Sequence, residues 1–283
     1  MDRVPHYAVI GAPIEHSLSP LIHAAYARQT GITLQYDRML VPQSKFEDAV
    51  NQFFVSGGAG LNVTAPLKEL AFDYADMISN KAMNAGAVNT LQYFDGDLVY
   101  GDNTDGVGLV TDLEHHLKRP LQGTRLLVLG AGGATRGCLE SLLQTAPDAL
   151  YLHNRTVSKA RHLIRRFSHI GEISLLPSQY RKSLTFDVVV NATSASVTGG
   201  RPDFDHRYLH NALAYDMMYG QNAQSFLKWA LAHGALAAHD GLGMLIEQAA
   251  ESFRIWHGLR PQTQEIRATL QRQLQLTARS TSR

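Results

Sequence analysis

The sequence predicts an α/β protein with two domains, and three observations carry that prediction. Segments typical of strands and of helices alternate along nearly the whole chain of 283 residues. The alternation starts a second time near residue 124, at the fully apolar strand "TRLLVLG". A chain of this length can also form two domains with separate cores. Because alternating βαβ units favour parallel sheets with right-handed crossovers, we expect a mostly parallel sheet in each domain.

Helix boundaries in the first half are marked by capping signals. Ser19 is the predicted N-cap of the first helix, with Pro20 at its first position and Gly31 past its end. Ser44 and Glu47 have the spacing of a capping box at the start of the second helix. The predicted strands are 6–11, 34–40 and 60–64, the helices follow them at 19–30, 44–56 and 70–76, and a hairpin over 87–103 turns at Asp95-Gly96.

The second half predicts a fully buried parallel sheet, since its first strand is apolar on both faces. The predicted strands are 124–130, 149–155, 186–193, 213–219 and 235–241, and the predicted helices are 134–145, 158–168, 223–234, 243–257 and 262–276. We expect a substrate domain over residues 1–105, a cofactor domain over 106–240, and C-terminal helices over 241–283 that pack back on the substrate domain. The predicted hinges lie near 102–106 and 238–243.

The composition excludes several classes of protein. With 45% hydrophobic and 18% charged residues the chain is globular, and a net charge of +1 without a basic stripe argues against nucleic acid or a membrane surface as partner. No segment approaches the ~18 apolar residues of a membrane span. The single cysteine, Cys138, suits a reducing cytoplasm. The histidines are scattered without ligand spacing, so we predict no metal.

A glycine-rich turn follows the apolar strand of the second half. Residues 130–137, "GAGGATRG", run directly from that strand into a helix. Glycines at such a turn let a pyrophosphate approach the backbone at the helix N-terminus. The third glycine of the G-x-G-x-x-G pattern is replaced by Thr135, and a tight turn that serves only close packing is the alternative. The strand and helix context favours a Rossmann-type dinucleotide site.

The end of the next strand indicates which dinucleotide is bound. Enzymes that use NAD usually carry Asp or Glu there to bind the ribose 2′-hydroxyl, whereas this chain has Arg155, followed by Thr156 and Lys159. These residues favour the 2′-phosphate of NADP, and a solvated cation at a strand end is the alternative. Because the lysine charge is a point rather than a planar fork, we expect Lys159 to discriminate phosphate less well than an arginine.

Polar residues of the first half fall at predicted strand ends and turns, where open parallel sheets bind ligands. Hydroxyls, amides and one possible ion pair converging there suggest a small, heavily hydroxylated ligand. Each residue also has a purely structural explanation, such as capping a helix or shaping a turn. The residues are Ser17, Ser19, Thr64, Lys68, Asn89, Asn103 and Asp105.

Nine motifs in the same order resemble those of shikimate dehydrogenases. They are "VIGAPIEHSLSPLIH", "NVTAPLK", "AGAVNTL", "GDNTDG", "GAGGATRG", "NRT", "NATS", "YDMMY" and "DGLGMLIEQAA", and they span residues 8 to about 250. The resemblance implies reversible, NADPH-dependent reduction of the ketone of 3-dehydroshikimate to shikimate, a step towards aromatic amino acids. It implies small-molecule ligands only, in a monomer or a homodimer.

The resemblance also implies roles for individual residues. Ser17, Ser19 and Tyr219 would bind the substrate carboxylate, and Thr64, Lys68, Asn89, Asp105 and Gln248 the ring hydroxyls. Gly130, Ala131, Gly132, Gly133 and Ala134 would hold the pyrophosphate, with Asn154, Arg155, Thr156 and Lys159 at the adenosine end and Thr193, Met217 and Gly241 near the nicotinamide. The loop after "NATS" is longer than is usual in the family, so contacts by residues 194–198 are left open.

Lys68 is the predicted catalytic residue, with Asp105 fixing its position. Hydride delivery to a ketone builds negative charge on the oxygen, which a nearby proton donor or a fixed cation stabilises. The sequence leaves both roles of the lysine open. Pro66 cannot continue the strand ladder, so it ends the strand and turns the chain towards Lys68. The alternative is an exposed lysine that only begins a helix.

Three rival functions fit parts of the sequence. A quinate/shikimate dehydrogenase would have the same fold with broader substrate and cofactor use. A non-catalytic dinucleotide sensor would keep the glycine turn but is expected to lose Lys68 or Asp105, and both are present. A folate-type dehydrogenase of similar plan fits less well, because the paired serines of "HSLSP" suit a small hydroxy acid.

Overall fold

The computed structural model describes residues 4–94, 97–195 and 200–280 and divides the chain into two compact units. Unit 1 consists of Met1–Gly108 and Ile246–Ile266, and unit 2 of Leu109–Leu245 and Arg267–Arg283. The C-terminal segment from residue 241 is therefore divided between the two units. The prediction of an α/β chain built on two mostly parallel sheets is confirmed.

Unit 1 contains a mixed six-stranded sheet in the order β2-β1-β3-β5-β6-β4. Its strands are β1 (His6–Gly11), β2 (Gln35–Leu40), β3 (Gly58–Val63), β4 (Met77–Ile78), β5 (Thr90–Phe94) and β6 (Leu98–Asp102). Its helices are α1 (Ser19–Thr30), α2 (Phe46–Val55), α3 (Lys68–Tyr74) and α4 (Asn80–Ala85), and the sequence predictions missed β4 and α4. Strand β1 is parallel to β2 and β3, whereas β5 is antiparallel to β3 and β6.

Both predicted N-cap signals of unit 1 are wrong, whereas Gly31 is the C-cap of α1 as predicted. Leu18 is the N-cap of α1, and the Ser19 N–H donates to the Ser17 hydroxyl at 3.3 Å, so Ser17 satisfies the donor that a cap would. Helix α2 begins only at Phe46, because a 3₁₀ turn over Gln43–Lys45 precedes it and makes the local backbone bonds. The predicted hairpin forms between β5 and β6, and its turn at residues 95–96 lies outside the described residues.

Unit 2 contains a parallel six-stranded sheet in the order β12-β11-β10-β7-β8-β9. Its strands are β7 (Arg125–Leu129), β8 (Ala149–His153), β9 (Ile173–Leu175), β10 (Val188–Asn191), β11 (Leu213–Asp216) and β12 (Ala237–Asp240). Its helices include α6 (Gly133–Gln144), α7 (Val157–Phe167) and α8 (Gln224–Ala232). Read from β9, the order is that of the doubly wound dinucleotide-binding fold, with its switch point between β7 and β10.

Alternating side chains of β7 explain why this strand is apolar throughout. Leu126 and Val128 face one buried cluster, and Leu127 and Leu129 face another on the opposite side of the sheet. A parallel strand covered on both faces needs such a continuous apolar run. Three further helices, α5 (Asp105–Thr111), α9 (Leu242–His257) and α10 (Gln264–Ser280), contain the boundaries between the units. Among the described residues no helix is long and apolar enough to cross a membrane.

Candidate active site and cofactor site

One edge of the unit 1 sheet gathers the polar residues that follow its strands. Because β1 and β3 are parallel and β5 is antiparallel to its neighbours, the carboxyl ends of β1, β3 and β6 and the start of β5 lie at the same edge. Thr64 directly follows β3, and its N–H donates to the Ile10 carbonyl of β1 at 2.9 Å. Strand β5 runs in the opposite direction to β3 and β6. Asn89, which precedes β5, therefore lies beside the turns that follow β3 and β6.

Lys68 and Asp105 form an ion pair at this edge. The Lys68 ammonium nitrogen Nζ lies 2.5 Å from Asp105 Oδ2. The carboxylate side chain is 5% exposed and the lysine side chain 21%, so the pair is largely withdrawn from water with the lysine as its accessible end. Lys68 is the first residue of α3, which begins two residues before the predicted helix. The lysine does begin a helix, as in the structural alternative, but it is paired and partly buried.

Asn89 connects the ion pair to its surroundings. Its amide nitrogen Nδ2 donates to Asp105 Oδ1 at 2.8 Å and to Gln248 Oε1 at 2.9 Å. Its carbonyl oxygen Oδ1 accepts from the backbone N–H of Thr104 at 2.9 Å. Asn103 caps the turn that holds Asp105, since its side-chain oxygen accepts from the Asp105 N–H at 3.1 Å. Asp105 is thus fixed by a lysine on one oxygen and an amide on the other.

Gln248 reaches this edge because α9 packs on the first sheet within unit 1. The Tyr26 hydroxyl of α1 donates to the Ile246 carbonyl at 2.8 Å, and the Trp256 indole donates to the Leu91 carbonyl of β5 at 3.0 Å. These two buried bonds fix α9 against a helix and a strand. The half-buried Gln248 lies between the two anchors, where its side chain contacts Asn89.

Ser17 and Ser19 lie together after β1. The Ser17 hydroxyl lies 3.2 Å from the Ser19 hydroxyl, and Ser19 is buried. Arg38 on β2 holds this turn, because its Nε and Nη2 both donate to the Ser17 carbonyl, at 2.8 and 2.6 Å. Sequence reasoning missed Arg38, since a charged residue on an exposed strand normally faces only water. Two hydroxyls and a fixed turn can bind a carboxylate.

Four buried polar residues that sequence reasoning also missed lie beneath the ion pair. Their side chains bond to one another and to Asn89, and all are at most 7% exposed. Polar groups buried to this degree are normally hydrogen-bonded. Three of them stand inside the motifs "NVTAPLK", "AGAVNTL" and "GDNTDG" without an assigned role, and a second signal was polar residues inside apolar stretches, such as the asparagine in "GLNVT". The four are Asn62, Thr90, Thr104 and Ser252.

The glycine turn of unit 2 has the backbone that a pyrophosphate needs. Gly130 has a φ of 112°, which side-chain-bearing residues rarely adopt, and a Cβ there would lie 3.1 Å from the Ala192 carbonyl after β10. Gly132 is the N-cap of α6, and a Cβ on it would meet no atom within 4 Å. Open space above a helix N-terminus at the switch point fits a dinucleotide phosphate. Ala131, Gly133 and Ala134 complete the turn.

Thr135 explains the departure from the glycine pattern. The side chain is fully buried, and its hydroxyl donates to the Gly130 carbonyl at 3.1 Å. This bond ties the start of α6 to the end of β7. Thr135, which replaces the third glycine, therefore stabilises the turn from its buried side. The opposite side of the turn, at Gly132, stays open.

The residues predicted for the adenosine end follow β8. Arg155, Thr156 and Lys159 are exposed, and the Asn154 side chain donates to the Thr156 carbonyl at 2.8 Å. The Lys159 N–H donates to the same carbonyl, so Asn154 and the first turn of α7 fix one loop. Two exposed cations beside this loop can attract a phosphate.

Thr193, Met217 and Gly241 follow β10, β11 and β12. The Thr193 hydroxyl donates to Asn191 Oδ1 at 2.7 Å, and the Met217 N–H donates to the Asn191 carbonyl at 3.0 Å. A Cβ on Gly241 would lie 2.3 Å from the Met217 carbonyl, so only glycine fits there. Tyr219 also belongs to unit 2, just before a 3₁₀ turn. Residues 196–199 of the long loop lie outside the described residues.

Family models match three parts of the chain. The model described as the shikimate dehydrogenase substrate binding domain matches residues 9–91. The model described as shikimate / quinate 5-dehydrogenase matches residues 112–198, and the shikimate 5′-dehydrogenase C-terminal domain matches residues 241–271. The matches thus include the edge of the first sheet and the glycine turn of the second.

Individual proteins are similar over nearly the whole chain. A protein named shikimate dehydrogenase (NADP(+)) from Aromatoleum aromaticum is 50% identical over 275 residues, which cover 96% of this chain and 98% of that one. The crystal structure of an Ael1 enzyme from Pseudomonas putida has a TM-score of 0.89 at 42% identity and covers 94% of this chain and 98% of that one. Shikimate 5-dehydrogenase from Thermus thermophilus in complex with NADP(H) and shikimate has a TM-score of 0.81 at 29% identity, with coverages of 95% and 99%.

Proposed function

Because this chain belongs to the shikimate dehydrogenase family, we propose that it catalyses the reversible, NADPH-dependent reduction of 3-dehydroshikimate to shikimate. The observation that carries the proposal is the partly buried Lys68–Asp105 ion pair, bonded to Asn89 at the carboxyl edge of the first sheet. A cation fixed at this place can stabilise the negative charge that develops on a ketone oxygen during reduction. The reaction is a step towards aromatic amino acids.

Lys68 would move the proton of the reaction at its Nζ atom. In reduction it donates a proton to the carbonyl oxygen as the carbon gains a hydride, and in oxidation it accepts the hydroxyl proton. Asp105 holds the ammonium group in place with Oδ2, while Oδ1 accepts from Asn89. Because Asp105 is itself fixed by Asn89 and holds the ammonium group in place, little reorganisation is needed during the chemical step. A positioned acid–base group of this kind contributes about 10²- to 10⁴-fold to turnover.

The remaining residues of this edge would bind the substrate. The Ser17 and Ser19 hydroxyls would donate to the carboxylate, as the resemblance to the family implies, with Tyr219 as an additional donor. Thr64, Asn89, Asp105 and Gln248 would bind ring hydroxyls. Hydroxyls and amides suit a neutral polyol, because each offers both donor and acceptor atoms at short range.

The glycine turn of unit 2 would hold the pyrophosphate of NADP(H), through the backbone of Gly130 to Ala134. Asn154, Arg155, Thr156 and Lys159 would bind the adenosine end, with the two cations on the 2′-phosphate. Thr193, Met217 and Gly241 would line the nicotinamide. When bound, the cofactor exchanges a hydride with the substrate carbon. The family resemblance and the exposed Arg155 support NADP over NAD.

Initial-rate kinetics test the proposal directly. The oxidation of shikimate and of quinate is measured with NADP⁺ and with NAD⁺ on the purified chain. We expect the highest kcat/KM for shikimate with NADP⁺. A preference for quinate with NAD⁺ would leave the family intact but overturn both the substrate and the role of Arg155. A chain that binds NADP⁺ and oxidises neither acid would be a dinucleotide sensor.

An Arg155→Ala variant tests the cofactor assignment on its own. The KM for NADP⁺ should rise about tenfold or more, because a charge-assisted bond to the 2′-phosphate is lost. The KM for NAD⁺ should stay within about twofold, since NAD⁺ lacks that phosphate. Equal changes for both cofactors would refute a role of Arg155 at the 2′-phosphate.

We further propose that the protein is a monomer or a homodimer and that it is located in the cytoplasm. Light scattering can test the oligomeric state, and cell fractionation can test the location.

A further inference from the structure

Three buried hydroxyl groups meet beneath the ion pair of unit 1. This hydroxyl cluster consists of Thr90, the first residue of β5, Thr104, just before α5, and Ser252 on α9, and each is fully buried. The Ser252 oxygen lies 2.8 Å from the Thr90 oxygen and 3.4 Å from the Thr104 oxygen. Side chains from three separate elements thus share bonds in a site without access to water. The proposed mechanism makes no use of them.

The hydroxyl cluster contacts both ends of the Asn89 amide, because the Thr104 hydroxyl lies 2.9 Å from Nδ2 and 3.2 Å from Oδ1. Asn89 Oδ1 accepts from the Thr90 hydroxyl at 2.9 Å and from the Thr104 backbone N–H at 2.9 Å. A backbone N–H can only donate, and a carboxylate paired with a lysine can only accept. The amide therefore has one possible orientation, with Oδ1 towards the Thr104 N–H and the Thr90 hydroxyl and with Nδ2 towards Asp105. The orientation is fixed by chemistry, because the flipped amide would lose both bonds.

The orientation of Asn89 also decides that of Gln248. Asn89 Nδ2 donates, so the glutamine amide must present its oxygen Oε1, as it does at 2.9 Å. The glutamine Nε2 group is then the end that can donate to a ring hydroxyl or carbonyl oxygen. Ser252 lies one turn further along α9, and its single hydroxyl proton can go either to the Gln248 main-chain carbonyl at 3.1 Å or to Thr90 at 2.8 Å. The cluster thus fixes two amides that the proposed substrate would contact.

The bonds can be arranged as one chain of donors that ends on the catalytic carboxylate. Asn62 Nδ2 donates to Ser252 Oγ at 3.0 Å, and the Ser252 hydroxyl can donate to Thr90. The Thr90 hydroxyl then donates to Asn89, whose amide donates to Asp105. Hydrogen bonds in such a chain polarise one another in a low-dielectric interior. Removing one hydroxyl weakens every bond that follows it.

We propose that Thr90 and Ser252 are positioning residues of the reaction, which act through Asn89 to hold Asp105, and hence Lys68, in the reactive arrangement. The inference rests on the proposed dehydrogenase function. It concerns two residues that would contact neither substrate nor cofactor. Their removal should lower kcat more than it raises KM, because the group that they hold in place acts in the chemical step.

A double-mutant cycle between Thr90→Val and Asn89→Ala tests the proposal. Valine keeps the shape of threonine and removes only the hydroxyl. In the wild-type background we expect kcat for shikimate oxidation to fall about fivefold, within the usual range of coupling between contacting residues. In the Asn89→Ala background the same change should alter kcat less than about 1.5-fold, since the residue through which Thr90 acts is gone. Thr90→Ser, which keeps the hydroxyl, should restore most of the activity.

Ser252→Ala is tested beside a matched serine. Ser56 makes the same bond to a carbonyl four residues back, to Gln52 at 2.7 Å, but is exposed. We expect Ser252→Ala to lower kcat about threefold or more and Ser56→Ala to leave it unchanged. An unchanged midpoint of urea denaturation would show that unit 1, which contains the substitutions, is folded in each variant.

The outcomes separate this inference from the function on which it rests. If the wild type oxidises shikimate but Thr90→Val is fully active, the positioning role is refuted and the dehydrogenase stands. Equal losses from Thr90→Val with and without Asn89 would refute it as well, because the effect would then be one of general stability. A wild type without shikimate oxidation would overturn the function and this inference together.

Discussion

The two candidate sites of this chain are built by opposite means. In unit 1 the site consists of side chains, and the Lys68–Asp105 pair depends on amides and a hydroxyl from two other segments, the start of β5 with the preceding Asn89 and helix α9. In unit 2 the glycine turn offers mainly backbone, and its key position, Gly132, is one where no side chain is present. Removing a polar side-chain atom should impair the site in unit 1. Adding a side-chain atom to the glycine turn should impair the site in unit 2. The predictions below test that contrast.

Lys68→Ala should have the largest effect. The variant loses the cation and the proton donor together, so kcat for shikimate oxidation with NADP⁺ should fall about 10²- to 10⁴-fold. Asp105 would keep its bond to Asn89, and the affinity for NADP⁺ should be unchanged. Steady-state kinetics and a fluorescence titration measure the two quantities.

Lys45→Ala is the matched control for this variant. Lys45 is an exposed lysine that pairs with the exposed Asp48 at 3.6 Å, on the surface of the same unit. Its loss should leave kcat within about 1.5-fold, since exposed pairs of this kind contribute little. A Lys68→Ala variant with more than about a tenth of wild-type turnover would exclude the lysine as the acid–base group.

Gly132→Ala should weaken cofactor binding at the glycine turn of unit 2, because it adds a methyl group there. The added methyl group meets no protein atom within 4 Å, and the φ of −92° is allowed for alanine, so folding should be unaffected. The methyl would occupy the space where a pyrophosphate approaches the helix N-terminus. We expect the KM for NADP⁺ to rise about tenfold or more, in the range of one lost charge-assisted hydrogen bond.

The substrate side provides the internal control for Gly132→Ala. The KM for shikimate and the midpoint of urea denaturation should both stay at their wild-type values. If NADP⁺ affinity is unchanged while the protein folds normally, the pyrophosphate does not lie over this residue. Gly130→Ala is a poor substitute, because its positive φ would strain the folded chain itself.

The same contrast explains what the sequence could predict. The glycine turn is local, since strand, glycines and helix follow one another directly along Arg125–Gln144, so the fold of unit 2 and its glycine turn were both predictable. The side-chain site joins residues that are far apart in sequence, with 37 positions between Lys68 and Asp105 and 159 between Asn89 and Gln248. There the family motifs indicated the residues that would contact ligands. Thr90 lies inside the motif "AGAVNTL" but has no role assigned by the resemblance, and Ser252 lies just beyond the last motif.

Capping signals were the weakest part of the prediction for a related reason. A serine before a helix can form hydrogen bonds with several neighbouring backbone groups. Tertiary contacts decide which of these hydrogen bonds form in the folded protein. Around α1, Arg38 from another strand binds the Ser17 carbonyl and so decides where the turn ends and the helix begins. Local sequence contains no information about that arginine.

Arg38→Lys should have a smaller effect than either site variant. The Arg38 fork donates twice to the Ser17 carbonyl, and a lysine can donate from only one nitrogen. The turn with Ser17 and Ser19 would then be held less firmly against β2. We expect the KM for shikimate to rise about two- to fivefold with kcat nearly unchanged, because ground-state and transition-state binding weaken together.

The measurement needs a second exposed arginine as control. Arg161 lies on the exposed face of α7 in unit 2, and Arg161→Lys should alter neither constant. A rise in the KM for NADP⁺ in Arg38→Lys would contradict a local role at the serine turn. A fall in kcat without a change in KM would equally exclude it, since the serines would then act in the chemical step.

The smallest effect concerns stability and comes from the buried polar interior of unit 1. His23 is fully buried, and its ring stacks on Tyr36 with centroids 4.2 Å apart. Among the described residues neither ring nitrogen has a hydrogen-bond partner. Burial lowers the pKa of His23 to about 3, with the nearby His257 as a second cause and the Asn62 side chain acting more weakly in the opposite direction. In the unfolded chain a histidine has a pKa of about 6.5.

This difference makes stability depend on pH with a definite sign. Above pH 6.5 the histidine is neutral in both states and has no effect. Below it the unfolded chain binds a proton that the folded chain excludes, so the free energy of unfolding falls by up to about 1.4 kcal/mol per pH unit. Burial also lowers the pKa of His257, which acts in the same direction. Urea denaturation at pH 7.5, 6.5 and 5.5 measures the slope.

His23→Phe should flatten that slope, because phenylalanine keeps the stacked ring and cannot be protonated. Between pH 6.5 and 5.5 the variant should lose about 1 kcal/mol less stability than the wild type. His169→Phe, the same change at an exposed position of unit 2, should keep the wild-type slope. If His23→Phe and wild type lose stability in parallel, the folded protein must accept a proton at His23, and a second buried polar group would then be needed to stabilise it. Such a group would have to come from the network around Asn62, so the outcome would link this interior to the hydroxyl cluster.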